Sequence, residues 1–367
     1  MAVAYQVEVR NRFYTVVDDL TIVYRALIAG MVRDEVTGEP PRTKYAVRVG
    51  RGDLHAKTLD GGLFCIAGYP EQVFPDLSTT GYLVELVITA PGYRGASLLV
   101  NIPPNTTFPV DAGDVSLRRP PVRVQGRVVD NTTDRNPIAD AKILIVDDPS
   151  PPAPLTEHVV ALRTPLHFEH AGGVTVRLRQ LTPAGPPKQL GADALAGSRT
   201  LTLKDRIGVA VNDVLRIGPE IRVEYAVIES LAPQPADPTQ PGNVTLRSAL
   251  NRSFPVNTEV QKVTPGAIGT VRTLVQEADA GDGVLILDDV LNVDTIEVVD
   301  PTPEQVEYHA LGALTDAEGF YRLDGVGRVR TVHLDASATG FTTLPKPIPW
   351  TINYEQPVNV VSFRLSP

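Results

Sequence analysis

Along most of the chain, apolar and polar residues alternate over short stretches broken by Gly, Pro, Asn and Asp, the pattern of strands with one buried face. Residues 1 to about 25 open it: Tyr5, Val7 and Val9 fall on one side, Gln6, Glu8 and Arg10 on the other, and Phe13 to Val17 continue. A second stretch begins at Val23 and runs through Gly30 to Asp34, and Glu35-Val-Thr-Gly38 makes its turn. Tyr45 to Val49, His55 to Thr58, Leu63 to Ile66, Tyr82 to Ala90, Ser97 to Ile102 and Val115 to Leu117 are predicted as further strands. The tight turn Asp60-Gly61-Gly62 and the turn Pro91-Gly92-Tyr93 separate some of them. Pro120-Pro121 then makes a short, stiff hinge.

The same pattern starts again at Gly126, with a strand ending at Asp130, a polar turn through Asn136-Pro137 and a strand from Lys142 to Val146. The hairpin that should follow is found only at Thr315-Asp316-Ala-Glu-Gly319-Phe320, about 170 residues later. Gly30 matches Gly126, Asp34 matches Asp130, Pro40 matches Pro137, the Asp60 turn matches the Asp316 turn, and Gly92-Tyr93 matches Gly340-Phe341. These landmarks resemble the carboxypeptidase regulatory-like domain, a transthyretin-like β-sandwich, over residues 23–119 and again over 122–148 joined to 310–366. The first copy has Leu59-Asp60 where that family has Thr-Asp. The resemblance implies an accessory sandwich with no activity of its own.

The interrupting segment, 151–309, carries its own repeat. Leu162-Arg-Thr-Pro-Leu166 aligns with Leu246-Arg-Ser-Ala-Leu250, and Leu201-Thr-Leu203 with Leu285-Ile-Leu287, both at an offset of 84. Val223-Glu-Tyr225 matches Val306-Glu-Tyr308 at 83. The order is therefore end-half, start-half, end-half, start-half. The inner halves (197–264) can close one β-unit and the outer halves (156–181 and 283–309) another around it. The expected fold is all-β: an N-terminal strand region (1–22), a sandwich (23–119), a split second sandwich (120–150 plus 310–367) and an inserted β-rich repeat module (151–309). Pro149 to Pro154 mark the exit into that insert and Pro301 and Pro303 the return, so excising 151–308 should leave both sandwiches folded.

Composition fits this picture: 33 Pro and 29 Gly in 367 residues serve many turns between short strands. A net charge of −9 without a basic block gives no footprint for nucleic acid. One cysteine, Cys65, precludes an intrachain disulfide and reads as a buried structural residue. The first residues lack the basic and apolar regions of a secretory signal, and no apolar run is long enough to span a membrane.

Candidate chemistry is sparse. His167-Phe-Glu169-His170 has the look of a metal pair, but Glu169 is misplaced for a His-Glu-x-x-His arrangement. In the repeat these histidines stand opposite Asn251 and Phe254, so they read as surface or turn histidines, and stoichiometric zinc is not expected. Arg51-Gly52-Asp53, the tripeptide of integrin ligands, reads as a hairpin loop. The pairs Asp18-Asp19, Asp147-Asp148 and Asp288-Asp289 lack calcium-loop spacing, and Asp279 to Gly283 reads as a turn. Four Asn-x-Ser/Thr sites (Asn105, Asn131, Asn243, Asn251) have no meaning without secretion, and no nucleophile elbow or triad spacing appears. No catalytic, cofactor-binding or metal-ligating residue is assigned, no cofactor is expected, and the chain is read as not an enzyme.

Tandem sandwiches without an active site have the form of rigid assembly subunits. The inserted repeat, with its Ile217-Gly218 turn and Val223-Glu-Tyr225 strand, resembles β-modules of phage-tail and contractile-injection proteins. The expectation is a structural subunit (cap, collar, baseplate or fibre) of such a particle, made in the cytoplasm and released with it. Tube, sheath or baseplate proteins would be its partners, and it would form homo-oligomers there. The alternatives are a carbohydrate- or cell-surface-binding adhesin, for which Trp350 is the sole tryptophan, and an accessory protein of a hydrolase complex.

Overall fold

The computed structural model describes residues 25–50, 53–146, 158–233, 239–291, 295–299, 305–342, 344 and 346–367. The expected strand at 1–22, Arg51-Gly52, Asp18-Asp19, Asp147-Asp148 and the prolines at 149–154, 301 and 303 lie outside these. The chain divides into two compact units, residues 1–120 and 121–367.

The first unit contains β1 (Arg25–Asp34), β2 (Ala46–Val49), β3 (His55–Thr58), β4 (Leu63–Gly68), β5 (Tyr82–Thr89), β6 (Ala96–Ile102) and β7 (Val110–Leu117). They form two sheets, ordered β3-β4-β1-β7 and β2-β5-β6. β1 runs antiparallel to β4 and parallel to β7. Alternation points Phe64 and Ile66 inward from β4, Leu86 and Ile88 from β5, and Ile102 and Leu117 from the strands that follow. With Leu27, Ile28 and Val32 they make one core, closed at one end by Val73 and Phe74 from α1 (Pro70–Val73) and the residue after it.

The second unit begins with β8 (Val122–Asp130) and β9 (Lys142–Val146) and ends with β21 (Ala313–Leu314), β22 (Phe320–Val326), β23 (Thr331–Ser337), β24 (Ile348–Thr351), β25 (Val358–Val360) and β26 (Phe363–Leu365). Its sandwich repeats the first one's plan. β8 lies between antiparallel β22 and the parallel strands β25 and β26, and β21-β9-β23-β24 forms the facing sheet. Asp34 and Asp130, both buried, anchor equivalent turns: Asp34 accepts the Val36 and Thr37 amides, and Asp130 those of Thr132 and Asn136. The hairpins also correspond, with one change from the sequence alignment. The Leu59 amide donates to the Leu63 carbonyl at 2.7 Å, and the Asp316 amide to that of Phe320 at 2.9 Å. Leu59, not Asp60, therefore stands where Asp316 does, and Gly62 (φ 80°) pairs with Gly319 (φ 77°) in the left-handed conformation the turn needs. The buried hydroxyl of Thr315 donates to the Ile138 carbonyl and accepts the Ala141 amide, tying the split halves together.

The insert consists of β10 (His158–Ala161), β11 (Thr175–Pro183), β12 (Lys188–Gln189), β13 (Thr200–Leu203), β14 (Val214–Ile217), β15 (Glu224–Leu231), β16 (Gly242–Leu246), β17 (Glu259–Thr273), β18 (Val284–Leu287), β19 (Thr295–Val299) and β20 (Glu307–Ala310). Its halves close in nested order. β13 pairs β16 with Thr200 opposite Thr245, and β18 pairs β10 with Val284 opposite Ala161, each position shifted by 84 residues. The bridge between Ala194 and Phe254 recurs between Ala278 and His170 at the same shift. The inner unit has its own core, including Leu201, Leu203, Val244, Leu246 and Phe254, and the outer unit another, including Leu162, Leu166, Leu285 and Leu287. β11 and β17 run antiparallel along each other and join the two into one sheet.

The insert is not self-contained. Ala161, Val284 and Ile286 belong to the core of the second sandwich, because β10 and β18 expose their alternate faces to it. Excision of 151–308 would therefore open the host core, contrary to the expectation from chain connectivity alone.

Candidate functional site

Two buried glutamates organise the junction of the nested units. Glu307 and His309 sit two apart on β20 and so project from the same face. The Glu307 carboxylate accepts the His167 amide at 2.7 Å and the Phe168 amide at 2.8 Å. Glu224, at the start of β15, accepts the Asn251 amide at 2.7 Å and that of Arg252 at 3.1 Å. His167 and Asn251 are 84 residues apart and the glutamates 83, so both halves use the same device: a buried carboxylate capping the turn before β11 or β17.

Only the outer half adds histidines. His167 places Nδ1 2.9 Å from Glu307 and Nε2 3.0 Å from Glu224, bridging the two halves. Ionised carboxylates only accept, so both ring nitrogens of His167 donate and the ring is an imidazolium. Burial alone would lower its pKa, but the hydrogen bonds and charges of Glu224 and Glu307 raise it to about 9. His170 and His309 donate Nε2–H to Glu307 at 2.8 and 3.0 Å, while their buried Nδ1 atoms have no partner. Five donors thus converge on Glu307. Burial pushes its carboxyl up, and the bonds from His167, His170 and His309 outweigh that and hold it well below the usual carboxylate range.

His167, Glu307 and His309 offer one ligand atom each, all within 4.8 Å, enough for a three-ligand divalent site. Those atoms are already joined by hydrogen bonds of 2.9 and 3.0 Å, with Glu307 as the shared acceptor. The histidines read from sequence as surface or turn residues are, in fact, interior: the His167 side chain is 5% exposed and His170 0%. Glu169 is exposed, as expected of a residue pointing away from that turn. Sequence reasoning missed Glu224, Glu307 and His309. Their signal was present, since Val-Glu-Tyr occurs in both halves and a glutamate repeated inside an apolar strand needs buried donors.

The other candidates lie apart from this cluster. Cys65 is half-buried rather than buried, because Phe64 and Ile66 on either side take the inward positions of β4. Asp53 is exposed. Asp288 accepts the Thr273 amide, and Asp289 pairs with Arg272 at 3.0 Å. Asp279 and Asp282 bind Arg328 at 3.1 and 3.3 Å, fastening the insert to the sandwich. Trp350 packs against the second sandwich's core. Asn105, Asn131, Asn243 and Asn251 are exposed.

No protein-family model matches the chain. No curated protein matches it either. Among solved structures, the chain is similar to BcpA, the major pilin subunit of Bacillus cereus, at 9% identity and a TM-score of 0.17, over 92% of this chain and 98% of that one. The Bacillus anthracis TIE protein matches at 8% and 0.20, over 95% and 52% respectively. The Streptococcal ancillary pilin matches at 12% and 0.17, over 92% and 98%. TM-scores this low carry no argument about the role of this chain.

Proposed function

We propose that the chain is a non-enzymatic structural subunit of a large protein assembly, specifically a phage-tail-like contractile injection particle. The observation that supports this most is the closure of its richest polar cluster. Glu224 and His170 are 0% exposed, and the adjoining cavity of about 10 Å³ has room for one water at most. General acid–base work needs a group within hydrogen-bond reach of a substrate, and the partners of these groups are one another and the backbone amides of two turns. The cluster instead locks two nested β-units, which suits a rigid spacer. The carboxypeptidase regulatory-like reading of both sandwiches and the resemblance of the insert to tail modules direct the choice of particle.

In this reading the partners are tube, sheath or baseplate proteins, with homo-oligomers formed in place. Synthesis is cytoplasmic, and the assembled particle carries the chain out of the cell. Among the described residues no helix is long and apolar enough to cross a membrane. An adhesin would need an exposed aromatic platform, and Trp350 is turned to packing. Affinity purification of the tagged full chain from its producing cells, followed by electron microscopy, tests the proposal. Particles of tube-like form carrying the tag are expected; recovery of the chain alone, or with a hydrolase, would overturn it.

A further inference from the structure

Within the second unit an open cleft of about 690 Å³ lies over the outer face of one sheet of the sandwich, with residues of the insert as its wall. The floor includes Arg127 of β8, Phe320 and Arg322 of β22, and Val360 of β25; Arg222 and Arg252 come from the insert. Alternation explains the floor: Val124, Val128 and Leu323 take the core side of the sheet, leaving these side chains to the opposite face.

The chemistry of this face departs from the rest of the molecule. In a chain of net charge −9, four arginines line this cleft with one aspartate, Asp316, and a second aspartate, Asp324, pairs with two of those arginines at its edge. Asp324 is shared by Arg123 at 2.9 Å, Arg322 at 2.6 Å and Arg252 at 3.7 Å. Asp316 is occupied by the amides of its own turn, Glu318 and Phe320. Arg127 donates to the Glu318 carbonyl and Arg222 to that of Ser253, and neither has a carboxylate partner among the described residues. Beside them Phe320 is 53% exposed and Val360 60%. The Arg127 guanidinium lies 5.3 Å from the centre of the Phe320 ring.

We propose that this cleft docks an acidic, partly apolar segment of a partner protein. Guanidinium groups take carboxylates in a planar, two-point contact, and Arg127 and Arg222 are the cations free to do so. Exposed Phe320 and Val360 call for apolar side chains between those carboxylates, and arginine beside an aromatic ring is typical of residues that dominate protein interfaces. Nucleic acid fits less well, since a phosphate backbone meets the repulsion of a chain of net charge −9 and a stacked base offers exposed Val360 no aliphatic partner. The inference rests on the structural-subunit reading only in taking a protein as the occupant.

The full chain is titrated by fluorescence anisotropy with a labelled decapeptide alternating Glu and Leu. A Lys-Leu decapeptide and a single-stranded DNA oligonucleotide serve as comparisons. Binding of the acidic peptide alone is expected, weakened at least tenfold by Arg127→Glu with Arg222→Glu and severalfold by Phe320→Ser, with an unchanged melt in each variant. Equal binding to wild type and variants, tighter binding of the DNA, or no binding of the acidic peptide would overturn the proposal. The same charge-reversed chain is then purified from its producing cells. Normal incorporation into particles would sink the docking site while leaving the structural role intact; absence of any particle from the wild type would sink that role instead.

Discussion

His167 stands 3.0 Å from Glu224, a residue of the other half of the repeat, and this contact crosses the junction on which the insert is built. Its consequence is a dependence of stability on alkaline pH. The pKa of His167 is raised from 6.5 to about 9 in the fold, so the imidazolium stabilises the folded chain fully below pH 6.5. That contribution, on the order of 3 kcal/mol at most, is lost as pH rises through about 9. The thermal midpoint should fall between pH 7 and 9.5, and His167→Gln should flatten the fall. A wild-type midpoint that does not move over this window would show that His167 is not charged.

The two glutamates should differ in their contribution. Glu307 accepts two amides and three imidazoles, whereas Glu224 accepts two amides and one imidazole. Glu307→Gln leaves a buried imidazolium short of one counter-charge and turns an acceptor into a donor facing other donors. A loss of about 3–5 kcal/mol is expected in urea unfolding, and roughly half of that for Glu224→Gln. Equal losses would mean that the imidazoles add nothing to the amide caps.

Sequence alternation placed the strands of the first sandwich and β8 and β9 of the second, because each buries one face and Leu, Ile and Val mark that face. It also showed the nested repeat, since Leu201 and Leu285 had to occupy equivalent strands. What it did not show depends on contacts between distant segments. Nothing local at His167 or His170 states that Glu307, some 140 residues on, turns them inward. The same holds for Ala161 and Ile286, whose strands pack on a sandwich that the connectivity treats as separate. The Arg127 cleft was equally hidden, being assembled from five separate stretches of chain.

The seam between insert and sandwich is a place where two backbones touch. The Gly283 amide donates to the Gly325 carbonyl at 2.8 Å, and a Cβ on Gly283 would overlap the Asp324 carbonyl. Gly283→Ala should force the strands apart and lower stability by several kcal/mol, more than the 1–3 kcal/mol usual for overpacking. Gly173→Ala, where φ is +86° and no atom lies within 4 Å, incurs only backbone strain of about 1 kcal/mol. Comparison of the two melts separates contact from conformation; similar losses would place the strain in the backbone rather than the seam.

The inner unit, by contrast, should be removable. β11 and β17 are paired up to Pro183 opposite Val263, so the chain leaves and re-enters at facing positions of one antiparallel ladder. Replacing 184–262 by Asn-Gly would convert this ladder into a hairpin with a favoured two-residue turn. The outer unit's core and the sandwich core contain no residue from the deleted stretch. The losses include Glu224 opposite His167, Glu220 opposite Arg163, Arg252 opposite Asp324, the Val223 carbonyl that accepts the Thr164 hydroxyl, and the cover that Val214 and Val227 give Val263. His167 would then titrate with Glu307 alone. The shortened chain should remain soluble and melt cooperatively at a lower midpoint, with a weaker alkaline fall than wild type. Replacing 151–308 instead should leave the second sandwich unfolded, because Ala161, Val284 and Ile286 go with it. If both deletions melt alike, the insert does not share the sandwich core and the nested order of its halves has no energetic meaning.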